Sequence, residues 1–361
     1  MMKFSLFYFD GDGSQPREDN YRLLKDSAVY ADKNDFLALW TPERHFHAFG
    51  GLYPNPAMTS MALAMLTEKI QVRSGSVVLP LHHPVRVVED WSVIDNMSGG
   101  RVGIGFASGW TVDEFIFSKE PHGSRRSVLW RYLDQVKRLW AGETVAFDDA
   151  AGNSVDVQTL PRPLQPNLPA WIACQSKESF IEAGRNGANI LISLLGESIE
   201  EVAPKIAAYK QALEQAGFEP SMGKVTMMVH TFMGEELETV KDNVRKPFGD
   251  YLKTHYGLLD SLAKSMGVNV SLDDFSDDDL DSLLEFGVDG FMQGRALIGT
   301  PASCTEMVDN LQAVGVDEIA CLIDFVQDYD LVMESLPYIK QLKDQYKDMV
   351  SSPSEEAELA L

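Results

Sequence analysis

Residues 70–106 read IQVRSGSVVLPLHHPVRVVEDWSVIDNMSGGRVGIGF, and three patterns follow one another within them. Residues 70–79 form a β-type run of strand length, in which Ile70, Val72, Val77 and Val78 are β-branched. Residues 84–97 have helical spacing and begin at Pro84, a residue suited to a first helical turn, and Gly99-Gly100 stops the helix where a left-handed cap is wanted. Residues 101–106 return to a strand pattern. Strand, helix and strand in so short a span predict two parallel strands joined by a crossover helix.

The same alternation extends in both directions. Further strands are expected at 3–9, 36–40, 170–174, 189–194, 224–232 and 318–324, which makes eight in all. Helices are expected at 19–34, 56–68, 124–141, 177–187, 198–216, 236–254, 301–314 and 329–349. Eight strand-helix units predict an α/β chain closed into a (β/α)8 TIM barrel. A doubly wound open sheet is the alternative, but it carries a glycine-rich fingerprint after its first strand, and Asp10-Gly11-Asp12-Gly13 is too irregular to be one. Two segments break the rhythm: residues 142–168 read as a hairpin excursion, and residues 244–299 as a long insertion before the last strand, of the size of a lid. Residues 1–350 are therefore expected to form a single barrel domain, with 351–361 a flexible tail. The acidic residues at 276–279 read as a helix start with carboxylates in its first turn.

Composition narrows the partners. A net charge of −23 argues against nucleic acid and against an anionic membrane, both of which demand a basic face. No apolar run approaches a membrane span, and the apolar stretch at 4–9 is too short for a signal-peptide core, so a cytoplasmic location is expected. Cys174, Cys304 and Cys321 are widely spaced and odd in number, as reduced buried thiols would be.

Chemistry concentrates at the strand ends. Residues 40–56 read WTPERHFHAFGGLYPNP and set Glu43, His45, His47, Phe49 and Tyr53 in a loop after the second strand, on the face where barrels mount their active sites. His-Phe-His also invites a metal reading, but later strand ends offer only His230 and Asp324 as further ligands, and no metal is expected. His82-His83-Pro84 reads as the start of a helix rather than a substrate contact. Gly103, Gly105 and Gly109 have the wrong spacing for a dinucleotide fingerprint and suit the close approach of a flat ligand. Arg125 and Arg126 open one helix and Gln175-Ser176-Lys177-Glu178-Ser179 another, both suited to a phosphate. Ser176 reads equally well as an ordinary N-cap.

Three blocks resemble the bacterial luciferase-like flavin-dependent monooxygenases. They are Glu43-Arg44-His45-Phe46 with Phe49-Gly50 and Pro54-Asn55-Pro56; Val77-Val78-Leu79-Pro80 with His83-Pro84-Val85-Arg86 and Asp95-Asn96-Met97-Ser98-Gly99-Gly100-Arg101; and residues 103–109 with Trp110 and Glu114-Phe115. The closing region, with residues 283–286, Gly299-Thr300-Pro301 and 315–320, is similar to the subgroup found in polyketide and nonribosomal peptide natural-product biosynthesis.

The resemblance implies a two-component monooxygenase. It would use reduced FMN from a separate NAD(P)H-dependent flavin reductase and O2 as co-substrate, through a C4a-peroxyflavin, to oxygenate an organic and possibly carrier-protein-bound intermediate. A deazaflavin-dependent oxidoreductase and a non-catalytic flavin-binding paralogue share the fold and are the alternatives. Position by position, His45 matches the active-site histidine, Glu43 lies in the same pocket, and Gly75-Ser76 falls where the family has a cis peptide against the flavin ring. Ala107 and Ser108 stand where the light-emitting enzyme has cysteine and arginine, Arg44 replaces a histidine and Gln175 a glutamate, which argues against a light-emitting enzyme. Arg125, Gln175, Ser176 and Ser179 match positions that hold the flavin phosphate. His47, Phe49, Tyr53, Trp110 and His230 are left for the substrate side. A homodimer is expected, with the methionine-rich helix at 58–66 as one source of an apolar interface.

Overall fold

The computed structural model describes residues 1–9, 14, 18–194, 197–265, 292 and 294–347. The expectations for residues 10–13, 276–279, 283–286 and 351–361 lie outside them. The barrel strands are β1 (Lys3–Phe7), β2 (Ala38–Thr41), β3 (Gln71–Val78), β4 (Val102–Ala107), β7 (Ala170–Ala173), β8 (Asn189–Ser193), β9 (Val225–Met233) and β11 (Glu318–Leu322). All pair in parallel in that order, and β9 closes the ring by pairing with both β8 and β11. The antiparallel hairpin of β5 (Val145–Asp148) and β6 (Ser154–Val157) is the excursion expected between the fourth and fifth barrel strands.

Helices α1 (Arg22–Lys33), α2 (Pro56–Leu66), α3 (Pro84–Ser98), α4 (Arg125–Ala141), α5 (Lys177–Arg185), α6 (Ile199–Gln215), α7 (Leu237–Ser265), α8 (Pro301–Ala313) and α9 (Tyr329–Gln345) fill the intervals. Their ends follow local chemistry. Asn55 caps α2 by accepting from the Ala57 and Met58 amides, and Pro56 needs no donor of its own. Gly99 ends α3 in the left-handed region, at φ 73°. Along α4 the buried residues Leu129, Leu133, Val136, Leu139 and Trp140 recur at helical spacing and pack into the core, each aliphatic side chain contributing roughly 1.5–3 kcal/mol of transfer free energy.

Two features were not anticipated. Helix α7 runs on to Ser265, well into the segment expected to be an insertion. Strand β10 (Leu297–Gly299) pairs with β9 over Thr231–Met233, beyond the residues of β9 that β8 and β11 cover. Those last residues of β9 extend beyond the two neighbouring strands, where β10 pairs with them and the Met233 amide donates to the Ser335 hydroxyl at 2.8 Å. Three residues are too few to carry a strand pattern.

The barrel interior holds an ion pair. The Arg73 guanidinium lies 4.9 Å from the Trp40 ring and 4.3 Å from the Trp171 ring, and donates to Glu318 at 2.8 Å. Glu318 also accepts from Ser5, Trp40 Nε1 and Thr226. Arg73, Thr226 and Glu318 stand at the starts of their strands, so this plug fills the N-terminal half and leaves the opposite mouth for chemistry. The cysteines are free and buried, and burial pushes the thiols of Cys174 and Cys321 up to about 12. Among the described residues no helix is long and apolar enough to cross a membrane.

Candidate active site

The loop after β2 is pinned before it is functional. The Arg44 amide donates to the Tyr53 carbonyl at 2.9 Å and Tyr53 to Gly50, which turns at φ 71°. A side chain at position 50 would run into Arg44, at 2.7 Å from its Cγ. Phe46 also has positive φ, 65°, a strained setting for an aromatic residue, and its ring is exposed and stacks on Phe117 at 5.5 Å.

Glu43 is the centre of the site. It is buried, and its Oε1 accepts from His45 Nε2 at 2.9 Å and from His82 Nε2 at 2.7 Å, while Oε2 accepts from the Val78 amide at 2.7 Å. Burial alone would raise its pKa, but the bonds from His45 and His82, the charge of His82 and the Val78 amide outweigh it and hold the carboxyl below its ordinary range. An ionised carboxylate accepts only, so each imidazole carries its proton on Nε2 toward Glu43. Burial works against the charged form of His82, yet its bond to Glu43, with the charges of Glu43 and Asp90, keeps it above the usual imidazole value.

Phe117 flanks the His45 ring at 4.9 Å, and a second buried carboxyl, Glu114, lies against the His45 backbone. Burial raises its pKa, partly offset by Arg44 and His45, and it accepts from the His45 amide. Its Oε2 has no hydrogen-bond partner among the described residues. The Arg44 guanidinium in turn packs on the rings of Phe9, Phe49 and Trp110 at 4.6–4.8 Å.

The other sequence-derived positions fall into three groups. Gly75–Ser76 is a cis peptide in β3, and Ala107 pairs with Val78 across to β4, with Ser108 following it. Arg125 turns back onto this strand end, donating to the Gly109 carbonyl at 3.1 Å. At the start of α5, Ser176 caps the Ser179 amide, and the Ser179 hydroxyl donates to the Ser176 carbonyl while accepting from the Gln175 amide. Ser176 is thus an N-cap, the bland alternative, and its position at the head of a nine-residue helix keeps it beside free amides as well. Phe49, Tyr53 and His230 are buried in one aromatic wall: Phe49 meets Tyr251 at 5.5 Å, His230 meets Tyr251 and Phe325, and Tyr53 donates to Asp324 at 3.2 Å. His47 stands apart, half-buried, its Nε2 without a hydrogen-bond partner among the described residues.

One pair of histidines is divided in a way the sequence reading did not foresee. His83 is the helix-start residue, its Nδ1 accepting from the Val85 amide, whereas His82 reaches across to Glu43. His82 follows the third barrel strand, so its place on the catalytic face was the available signal. Glu114 and Arg44 offered no comparable signal, because their roles depend on how the 40–56 and 108–117 loops meet.

The fit to an anionic, flat cofactor can be judged from the donor set. Arg125 and Arg126 at the head of α4 and the amides at the head of α5 are all donors, and Arg126 is close enough to help lower the Glu178 carboxyl. The Glu178 amide and then the Ser176 hydroxyl lower it most, so the Glu178 carboxylate itself rests on the positive end of α5. These residues fit a phosphate, and Glu178 competes with it. Glu178→Gln is expected to tighten binding of FMN, the cofactor that the sequence resemblance implies, about threefold, within the range of helix-terminus charge effects, as measured by anaerobic titration. Unchanged or weaker binding would place the phosphate elsewhere.

The parallel barrel carries a carboxylate-bridged histidine pair at its C-terminal mouth, the face on which barrel enzymes mount their sites, with phosphate-suited helix starts beside it. The model of the luciferase-like monooxygenase family matches residues 2–318, and the chain belongs to that family. The oxygenase component of the flavin-dependent trigonelline monooxygenase of Acinetobacter baylyi is 25% identical over 344 residues, 93% of this chain and 92% of that one. Among solved structures, monooxygenase RslO1 of Streptomyces bottropensis superposes with a TM-score of 0.76 at 21% identity, covering 96% and 99% of the two chains. The oxygenating constituent of 3,6-diketocamphane monooxygenase of Pseudomonas putida, solved with FMN, gives 0.73 at 17% identity over 94% and 98%. An F420-dependent secondary alcohol dehydrogenase gives 0.69 at 14% identity over 94% and 98%. At these identities the structural likenesses establish the fold.

Proposed function

We propose that the chain is the oxygenase of a two-component flavin-dependent monooxygenase, which takes reduced FMN from a separate NAD(P)H-dependent reductase and uses O2 to oxygenate an organic natural-product intermediate, free or bound to a carrier protein. The observation that carries this reading is the Glu43–His45 contact at 2.9 Å, beside the strand ends that hold Gly75–Ser76 and Ala107. Reduced FMN, when bound, supplies the electrons that activate O2. The trigonelline relative is itself the oxygenase component of its system, which supports the separate reductase.

The residues then have distinct tasks. Glu43 orients His45 and fixes its tautomer, leaving Nδ1 as the ring nitrogen that exchanges a proton with the reacting group. Gly75, Ser76, Ala107 and Ser108 would border the flat ring of the cofactor, and Arg125, Gln175, Ser176 and Ser179 would hold its phosphate. Phe49, Tyr53, Trp110 and His230, with His47 at the rim, form the substrate side, and their apolar bulk excludes water. A second copy of the chain covers the exposed Met58, Met65, Leu66, Val93 and Met97 of α2 and α3.

The rival reading is hydride transfer from a reduced deazaflavin on the same barrel. Anaerobic titration separates the two: reduced FMN is expected to bind at micromolar concentration and, on admission of O2, to be consumed with product, whereas reduced deazaflavin binds at least tenfold more weakly. The reverse order of affinities would overturn the assignment.

A further inference from the structure

The site described above contains a group with no task in that reading. His82 comes from the turn after β3, not from the loop that carries His45, yet both imidazoles donate to the same oxygen of Glu43, at 2.7 and 2.9 Å. The Glu43 side chain is fully buried, that of His45 is 11% exposed and that of His82 is 35% exposed. A buried carboxylate bonded to one imidazole alone stabilises the imidazolium form of that ring, which would disable it as a proton acceptor. A second, positively charged donor on the same oxygen removes most of that pull.

We propose that His82 is a positioning residue for His45: its imidazolium shares Glu43 Oε1 and balances the carboxylate, so that His45 stays neutral, with its proton on Nε2 and its Nδ1 lone pair open. The inference rests on the reading of His45 as the proton-exchanging group. The geometry supports it because the Val78 amide occupies the other carboxylate oxygen, so Oε1 alone serves both rings. The charged groups that face the pair are Glu43 and Arg44 on the loop after β2, Glu114 on the 113–117 turn and Asp90 on α3. Asp90 bears on His82, where it favours the charge the proposal requires.

The test compares the full chain with His82→Gln and His82→Lys by ¹⁵N imidazole NMR, in the absence of added flavin or substrate. Glutamine keeps a donor for Glu43 without the charge; lysine keeps the charge. The His45 titration midpoint is expected to rise by about one pH unit in His82→Gln, as for an imidazole facing an unbalanced carboxylate, and to return toward the wild-type value in His82→Lys. The acidic limb of the turnover profile moves by the same amount in the same direction. A midpoint that stays put in His82→Gln overturns the proposal, as does a wild-type His45 with its proton on Nδ1, an observation that needs no variant to fold. Because the titration requires no turnover, it separates the two readings: an oxygenation yield indifferent to His45 sinks the function proposed above, whereas an unmoved titration sinks only the role of His82.

Discussion

Glu318→Gln is expected to lower the unfolding free energy by about 3–5 kcal/mol, the cost of leaving a buried charge without its counter-ion. Arg73 is buried between the Trp40 and Trp171 rings and reaches Glu318 at 2.8 Å, where water cannot replace the lost carboxylate. Glu318 is in turn the acceptor for Ser5, Trp40 and Thr226, so one carboxylate ties β1, β2, β3 and β9 to β11. Arg73→Met should cost a similar amount, because it strands the carboxylate instead. The double variant Arg73→Met with Glu318→Gln should recover much of the loss, since neither buried charge then remains. Urea denaturation measures all three. Single variants within about 1 kcal/mol of the native chain would mean that the pair is solvated and does not plug the barrel. The fraction that folds should keep its site, because the plug fills the N-terminal half of the barrel and the candidate site the other.

The barrel was legible in the sequence because its signals are local and repeated. Each barrel strand is a short apolar run and each helix has its own stop, such as Gly99 after α3, so errors at single ends do not change the count. Strand β10 was not legible, since three residues carry no period and its existence follows from the overhang of β9. The Arg73–Glu318 pair spans 245 positions and is written in no neighbourhood pattern. At the site the same division holds. Glu43 and His45 could be singled out as candidates because they share one loop with aromatic neighbours, while the link from His82 to Glu43 depends on two strand ends being adjacent in space. His83, the residue that looks the same in the sequence, caps α3 through its own neighbourhood and packs on Phe147 of the hairpin, away from Glu43.

His45→Ala should leave folding and FMN binding intact and lower the yield of oxygenated product per reduced flavin by about 100-fold, the lower range of what positioned acid–base groups contribute. The ring packs against Phe46 and Phe117 at the mouth and supports no strand, so its loss opens space at the rim and not in the core. Glu43 keeps two of its three hydrogen bonds in the variant, those from His82 and Val78, so the carboxylate stays paired and the loop stays pinned by the Arg44–Tyr53 bond. What disappears is His45 Nδ1, the nitrogen to which the proposed function gives the proton exchange. Reduced flavin should then be reoxidised without coupling, and hydrogen peroxide should appear in place of product. His45→Gln offers a donor to Glu43 but no titratable nitrogen, and should resemble the alanine variant in yield. A full yield in either variant would show that the proton is handled elsewhere. Glu114 would then be the group to test, since it is a buried carboxyl that accepts from the His45 amide and burial raises its pKa.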